Sequence, residues 1–416
     1  GVASLGNMEA VQFHPTGIFP AGILVTEGCR GDGGLLLDGE EHRFMPDYEP
    51  EKAELASRDV VSRRMEEHVK AGHGAKTRFG EHLWLDIRLL GRHHIDTRLR
   101  EVKEICQYFL GVDPASELIP VRPAQHYSMG GIRTDYKGES PQLKGLFSAG
   151  ESACWDMHGF NRLGGNSVAE TVVAGMIVGD SMADFCETPE NALRISTSLI
   201  ETAGALECDK LKTIAENGGR ESAFELVRLM QETMTDKVGI FRDGERLQQA
   251  VDTLRQLQQR SRNIRLKSSA PGANPELVAT YRLKRMLKLA QCVAYGALRR
   301  EESRGAHYRA DFPQRNDRDW MRRTLASWPE EESDLPQLNY EELDVMRMEM
   351  PPGWRGYGAK DYIDHPDTAR RQQQVDEALK GGADADQHAR EEALMPFRHL
   401  LPAHLRADNR RIGDPT

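Results

Sequence analysis

The sequence predicts a multidomain protein that mixes α+β and α/β parts. Three observations lead there. At 416 residues the chain is too long for one ordinary hydrophobic core. Its texture changes at His126, where Gly-rich turns and short charged helices give way to a strand–turn followed by an apolar, Gly- and Ala-rich helix. Further on, two long stretches carry apolar residues at helical spacing, which predicts a bundle.

The elements follow in order. From about Met8 to Gln125 the pattern is a compact α+β lobe. Asp59–Val69 places Val60, Val61, Met65 and Val69 at helical spacing, and Thr97–Leu110 reads similarly. Gly72, Gly74 and Gly80 mark a loop before the strand-like Leu83–Ile87. Leu146–Glu151 predicts a buried strand that ends in a tight turn, and Val168–Met182 a helix able to press closely on a sheet. Gly164, Gly165, Asn166 and Ser167 open that helix, so unpaired N–H groups there suit an anionic or polar ligand edge. Glu221–Gln258 and Pro275–Glu302 predict the bundle. In the second of these, Leu277, Leu283, Met286, Leu287, Leu289, Ala290, Val293 and Ala297 fall on one face as a core stripe. Beyond Glu330 the chain turns acidic, then Pro- and Gly-rich, and 380–416 reads as a surface wrap or a partly disordered tail.

Composition narrows the function. Apolar content of 39%, 29% charged residues and a mean hydropathy of −0.60 describe a soluble globular chain. No apolar run approaches the ~20 residues of a membrane helix, so membrane association requires a partner. A net charge of −10 argues against a nucleic-acid surface. Six scattered cysteines without a C-x-x-C pair predict neither a zinc site nor a disulfide frame, and no metal ligands are expected. No G-x-G-x-x-G strand–turn–helix is present, so the phosphate cradle for a dinucleotide is expected to lie outside this sequence.

The chemistry-bearing residues fall in five short segments: His14-Pro15-Thr16-Gly17, Thr26-Glu27-Gly28-Cys29-Arg30-Gly31, Ser57-Arg58-Asp59, His126-Tyr127-Ser128-Met129-Gly130-Gly131, and Gly159 through Ser167. Arginine meets a carboxylate with two parallel hydrogen bonds, and Arg162 sits in a Gly-rich turn from which it can project into a cleft. His14, Thr26 and His126 lie in or beside Gly- and Pro-bearing turns, as presented residues often do. Any of these histidines alone reads as a satisfied core or surface group. Ser57-Arg58-Asp59 alone reads as a helix start, with Ser57 as cap and Asp59 favoured by the helix dipole. Cys29 reads as a packed thiol rather than a reactive one.

In this order and spacing the five segments resemble the flavoprotein subunit of fumarate reductase and succinate dehydrogenase. The resemblance runs from Gly1 to about Pro351 and is densest between Asn7 and Asp180. It implies an FAD-binding Rossmann-like domain (1–13 and 126–190) interrupted by a capping domain (14–125), then a helical bundle (191–310) and a C-terminal extension (311–416). By resemblance His14, Thr26, His126 and Arg162 bind a small dicarboxylate, fumarate or succinate, and Arg58 delivers a proton. Guanidinium is a poor acid, with a pKa above ~12 in water, so it must be quickly reprotonated, and Glu27 and Arg30 match the family's relay. Gly150, Glu151, Asn166, Ser167 and Val168 match positions at the ribose and pyrimidine edge of FAD. The ADP-binding segment and any histidine that links the flavin covalently are expected to precede this sequence.

Phe44–Tyr48, Cys154–Phe160 and Glu302–Tyr308 look most like bacterial quinol:fumarate reductases. That implies an iron–sulfur protein subunit, a quinone-binding membrane anchor, and a peripheral place on the cytoplasmic face of the inner membrane. Closure of the capping lobe would exclude water and bring Arg58 to the substrate. Two other readings stand beside it: a soluble L-aspartate oxidase-like flavoenzyme, and a truncated, non-catalytic scaffold.

Overall fold

The computed structural model describes residues 3–191, 196–268, 272–330, 333–343, 363–370, 373–374 and 377. The tail expected at 380–416 lies outside the described residues. The chain divides into two compact units, 1–315 with 324–340, and 316–323 with 341–416.

The first unit opens with β1 (Leu5–Gly6), β2 (Val11–Ile18), β3 (Ile23–Leu24), α1 (Gly28–Gly31), β4 (Leu35–Leu37), α2 (Met45–Tyr48) and α3 (Arg58–His68). It continues with β5 (Ala75–Thr77), β6 (Gly80–Asp86), α4 (Arg92–Arg98), α5 (Arg100–Leu110) and β7 (Ile119–Ser128). Strands in the order β3-β2-β7-β6-β4 form a sheet, with β5 paired to β6. Helix α3 buries Arg58, Val61, Ser62 and Met65, a face at i, i+3, i+4, i+7 spacing. Val61 and Met65 join a core with Leu36, Leu83, Leu85, Val102, Cys106, Ile119 and Val121. That packing fixes the axis of α3 and so the position of Arg58 at its first residue.

Two expectations need correction here. The helix read over Thr97–Leu110 is two helices: the backbone breaks at Leu99 (φ −120°, ψ 29°), whose side chain is buried in the lobe core. Core packing overrides local helix propensity at that residue. Ser57 makes no capping bond either, because its hydroxyl donates to Asp59 Oδ1 at 2.6 Å instead.

A second sheet runs in the order β11 (Gln337–Glu342), β10 (Arg322–Ser327), β1, β8 (Gly131–Arg133), β9 (Ala153–Cys154). Leu146–Glu151 is not a strand. Ser140 N donates to Leu146 O and Ser148 N to Gly138 O, so this segment closes a local hairpin through the positive-φ Gly138 and Gly145. Helix α6 (Asn166–Glu187) is longer than expected and buries only Glu170, Ala174 and Val178. Val168, Val172 and Met176 are 69%, 57% and 68% exposed. Its apolar surface therefore does not press on a sheet among the described residues.

The bundle comprises α7 (Thr197–Glu216), α8 (Ala223–Lys237), α9 (Gly244–Ser261) and α10 (Pro275–Arg299). Ser196, Asp243 and Asn274 cap α7, α9 and α10 with side-chain oxygens. Leu226, Leu247, Leu254, Leu283, Leu287 and Ala297 fill the core. Leu289, read as part of the core stripe, is exposed. In the second unit, α11 (Asp317–Trp320) is capped by Asn316, and Arg318 pairs with Asp364 at 2.8 Å. Among the described residues no helix is long and apolar enough to cross a membrane.

Candidate active site

The pairing of β2 with β7 is antiparallel and irregular at two points. Gln12 faces Tyr127 but Phe13 faces Gln125, which leaves His126 as the extra residue of a bulge. His14 faces Ala124 and Gly17 faces Arg122, so Pro15 and Thr16 stand against Pro123 alone. Bulges re-aim side chains, and proline, lacking an N–H, is tolerated where the ladder breaks. The result brings His14 and His126 edge to face, with ring centroids 5.1 Å apart.

The hydrogen bonds define the tautomers. Thr16 N donates to His14 Nδ1 at 3.2 Å, so His14 carries its proton on Nε2, a buried donor without a partner. Arg162 Nη2 donates to His126 Nε2 at 2.8 Å, which places the His126 proton on Nδ1. Arg162 lies over the Tyr127 ring, 4.6 Å from its centroid, and its Nε is also buried without a partner. Burial, then the guanidinium of Arg58, pushes His14 down to about 2. Burial, then Arg162, pushes His126 down to about 4. Both imidazoles are therefore neutral near pH 7.

Beside the turn that carries Arg162, Arg58 donates to Glu27 Oε2 from Nε (2.9 Å) and Nη2 (2.7 Å). Glu27 Oε1 lies 3.8 Å from Arg30 Nη2. Arg30 is buried and donates from Nη1 to the Glu54 carbonyl. Burial pulls its guanidinium below the ordinary range, while Glu27 opposes that shift. Glu27 is the solvent-facing member: its side chain is 36% exposed against 8% for Arg58. Gly164 makes room for this pair, since a Cβ there would stand 2.6 Å from Glu27 Oε2. Thr26 is exposed and its hydroxyl accepts from Gly28 N, so it is adjacent in sequence but bonded to none of these groups.

One residue that the sequence reading missed joins Arg58 to the turn that carries Arg162. Gln12, fully buried, accepts from Arg58 Nη1 through Oε1 at 3.2 Å. Its Nε2 donates to Asn161 Oδ1 at 2.8 Å and to the Arg162 carbonyl at 2.6 Å. The signal was present: Gln12 stands two residues before His14 on one strand, hence on the same face.

Two further motifs act through these residues. Glu170 on α6 accepts from Tyr127 (2.7 Å), Trp155 (2.7 Å) and His158 (2.8 Å). Burial raises its carboxyl, and these three donors together hold it below the usual range. Residues 302–308 buttress the turn that carries Arg162. Ala306 N donates to the Phe160 carbonyl at 2.8 Å, and Gly305 (φ +52°) has no room for a Cβ, which would meet that same oxygen at 2.6 Å. Arg63 on α3 donates to the Gly305 carbonyl at 3.0 Å.

The positions assigned to a cofactor form their own group. Gly150 (φ +68°) lies against α6, where a Cβ would come 3.3 Å from Thr171 Oγ1. Glu151 is exposed, with Oε1 accepting from Ser128 N at 3.0 Å. Asn166 and Val168 are exposed and Ser167 half-buried in the first turn of α6. A close glycine, an open carboxylate and an uncovered helix start fit the ribose and the polar edge of a flavin.

Comparison with known proteins agrees with this class. A family described as an FAD binding domain matches residues 1–168, and one described as the fumarate reductase flavoprotein C-terminus matches 227–357. The fumarate reductase flavoprotein subunit of Helicobacter pylori (strain ATCC 700392 / 26695) is 50% identical, over 100% of this chain and 62% of that protein. That of Escherichia coli K12 is 36% identical over 89% of this chain and 63% of its own. Among solved structures, an E. coli quinol fumarate reductase FrdA variant matches with TM-score 0.79 and 36% identity, covering 86% of this chain and 62% of that one. A quinol-fumarate reductase with menaquinol molecules matches at 0.76 and 36%, covering 82% and 61%. Fold and site together define an FAD-binding flavoprotein. More narrowly, the chain belongs to the family of fumarate reductase flavoprotein subunits. It spans about three fifths of the length of the curated relatives it matches.

Proposed function

We propose that this chain is the dicarboxylate-handling part of a flavoprotein subunit that interconverts fumarate and succinate. The observation that carries the reading is a charge surplus. Arg30, Arg58 and Arg162 set against Glu27 leave two positive charges, beside two neutral histidines and buried donors without hydrogen-bond partners on His14, Arg30 and Arg162. A dianion with two separated carboxylates balances that set. Leaving buried donors unsatisfied costs about 1–3 kcal/mol each, which ligand oxygens would recover.

In this reading Arg162, His14 and His126 grip the substrate carboxylates, with Thr26 at the rim. Bound FAD, held by Gly150, Glu151, Asn166, Ser167 and Val168, supplies or accepts the hydride. Arg58 gives a proton to the substrate carbon on fumarate reduction and regains it through Glu27, the member nearest solvent, with Arg30 stabilising that carboxylate. Residues 14–125 form the capping domain, 1–13 and 126–190 the flavin-binding part, 191–310 the bundle and 311–416 the extension. An iron–sulfur subunit and a quinone-binding membrane anchor are the partners this reading implies, with the assembly on the cytoplasmic face of the membrane.

The test is Arg58→Gln and Arg58→Lys in the complete enzyme. Positioned acid catalysis gives ~10²–10⁴-fold, so Arg58→Gln should lose at least that much fumarate reduction at saturation while keeping flavin content. Arg58→Lys should bind dicarboxylates and retain a small rate. Near-normal turnover in Arg58→Gln, or turnover of aspartate in place of succinate, overturns the proposal.

A further inference from the structure

At the far end of α3 from Arg58, three side chains meet that the proposed chemistry does not use. Asp38 follows β4, His68 closes α3, and His73 follows it in a π-helical turn, Val69–His73. Their ligand atoms all lie within 4.8 Å of one another. We propose that Asp38, His68 and His73 form a binding site for a divalent transition ion of the zinc class.

The geometry supports each ligand in turn. Asp38 Oδ2 and His68 Nε2 are 3.3 Å apart. That is the edge of a tetrahedron whose metal–ligand bonds are ~2.0–2.1 Å, the length of zinc–nitrogen and zinc–oxygen bonds. The other carboxylate oxygen is already committed: Oδ1 of Asp38 accepts from Glu40 N (2.8 Å) and His42 N (2.9 Å), which turns Oδ2 towards the imidazoles. His68 Nδ1 lies 3.0 Å from the Tyr48 hydroxyl, which can accept the Nδ1 proton when Nε2 gives its lone pair to a metal. Outer partners of this kind fix the tautomer and orientation of metal-binding imidazoles.

The backbone couples the remaining ligand to the first. Gly39 N donates to the His73 carbonyl at 2.8 Å. A Cβ at Gly39 would stand 3.0 Å from Ala75 N and the Gly74 carbonyl, so only glycine lets these segments approach. The His73 ring stacks on that of His68 with centroids 4.6 Å apart, and Phe44 covers the other face of His68 at 4.3 Å. His73 is exposed, so rotation about its side-chain bonds can turn a ring nitrogen to the ion. Two imidazoles and one carboxylate suit a borderline ion such as Zn²⁺ or Co²⁺, not Ca²⁺ or Mg²⁺, which select oxygen ligands. With three protein ligands, the fourth position stays open to water.

The experiment titrates the chelator-treated protein with Zn²⁺ by calorimetry and with Co²⁺ by visible absorption. The expected result is one ion per chain, a rise in melting temperature, and ligand-field bands from cobalt. Asp38→Asn and His73→Ala should each weaken uptake by more than the ~10–100-fold that loss of an outer-shell partner costs. His73 is exposed, so His73→Ala should keep the native circular dichroism and isolates ligand loss from misfolding. Uptake that is unchanged in His73→Ala overturns the proposal. So does the absence of Zn²⁺ or Co²⁺ uptake above that of the Asp38→Asn, His73→Ala double variant, or equal stabilisation by Mg²⁺.

Discussion

At the residue scale, the site is a set of arginines separated by neutral imidazoles and one carboxylate. Both histidines are depressed, which fixes the sign of the pH dependence. The folded protein binds their protons less readily than the unfolded chain does, whose histidines titrate near 6.5. Their contribution to stability is therefore complete above pH 6.5 and is lost as pH falls from there towards about 4 for His126 and about 2 for His14. Histidine NMR of the folded protein should show neither ring protonating between pH 8 and 5, and a midpoint near 6.5 for either would refute the assignment. Gly164 supplies a second prediction. A methyl there meets the end of a flexible, partly exposed side chain, so Gly164→Ala should keep the fold but displace Glu27 from Arg58. Turnover should drop by about 10²-fold with little change in melting temperature. His14, Glu27, Arg30, His126 and Arg162 were legible because they stand in short Gly- and Pro-bearing motifs, whereas Arg58, in Ser57-Arg58-Asp59, was singled out by family resemblance and Gln12 was missed. The bulge that re-aims His126 was hinted at by Pro15 and Pro123 within strand-like runs. The acceptor role of Glu170 was not legible, because its three donors are brought to it only by the fold.

At the element scale, helix existence was readable from periodicity, while boundaries and exposed faces were not. Leu99 breaks a helix whose local sequence favours continuation, because its side chain is drawn into the lobe core. Leu146–Glu151 is strand-like in composition, yet its backbone partners lie within its own hairpin. In α10, Leu289 has the composition of a core position but faces outward, since at 3.6 residues per turn it points about 100° away from buried Ala290 and about 200° from buried Leu287. The contrast can be measured. Leu254→Ala in α9, with no exposed surface, should cost about 2–5 kcal/mol in chemical denaturation. Leu289→Ala, at 46% exposure, should fall within about 0.5 kcal/mol of the parent. Equal effects would mean that the bundle register is wrong.

At the scale of the first unit, a buried polar lattice joins parts far apart in sequence. Glu9 Oε1 accepts from Arg300 Nε and from Thr324 Oγ1, each at 2.7 Å. Arg242 donates to the Glu9 carbonyl at 2.8 Å and to His307 Nδ1 at 2.8 Å. The turn between β1 and β2, the end of α10 and β10 are thus tied through charges without solvent contact. Removing one partner of a buried pair typically costs 3–5 kcal/mol, an upper bound here because Arg300 Nη1 also pairs with buried Glu302 at 2.9 Å. Glu9→Gln should lower stability by up to that amount in urea denaturation, although it lies outside the candidate site; an unchanged midpoint would show that the pair carries no net energy. None of this lattice could be read from the sequence, where Glu9, Arg242 and Arg300 are ordinary charged residues with no motif around them.

Gln12 imposes something further on this arrangement. An amide has unlike ends: its oxygen can only receive and its nitrogen can only give. With the oxygen turned to Arg58 and the nitrogen to the carbonyl of Arg162, the side chain works as a keyed spacer. It ties the Arg58 guanidinium to the turn that carries Arg162. Asparagine keeps the key but shortens the blade, and glutamate keeps the length but presents oxygen at both ends, facing the Arg162 carbonyl with an acceptor. The spacing of two guanidinium-bearing segments far apart in sequence thereby depends on one uncharged residue of a strand.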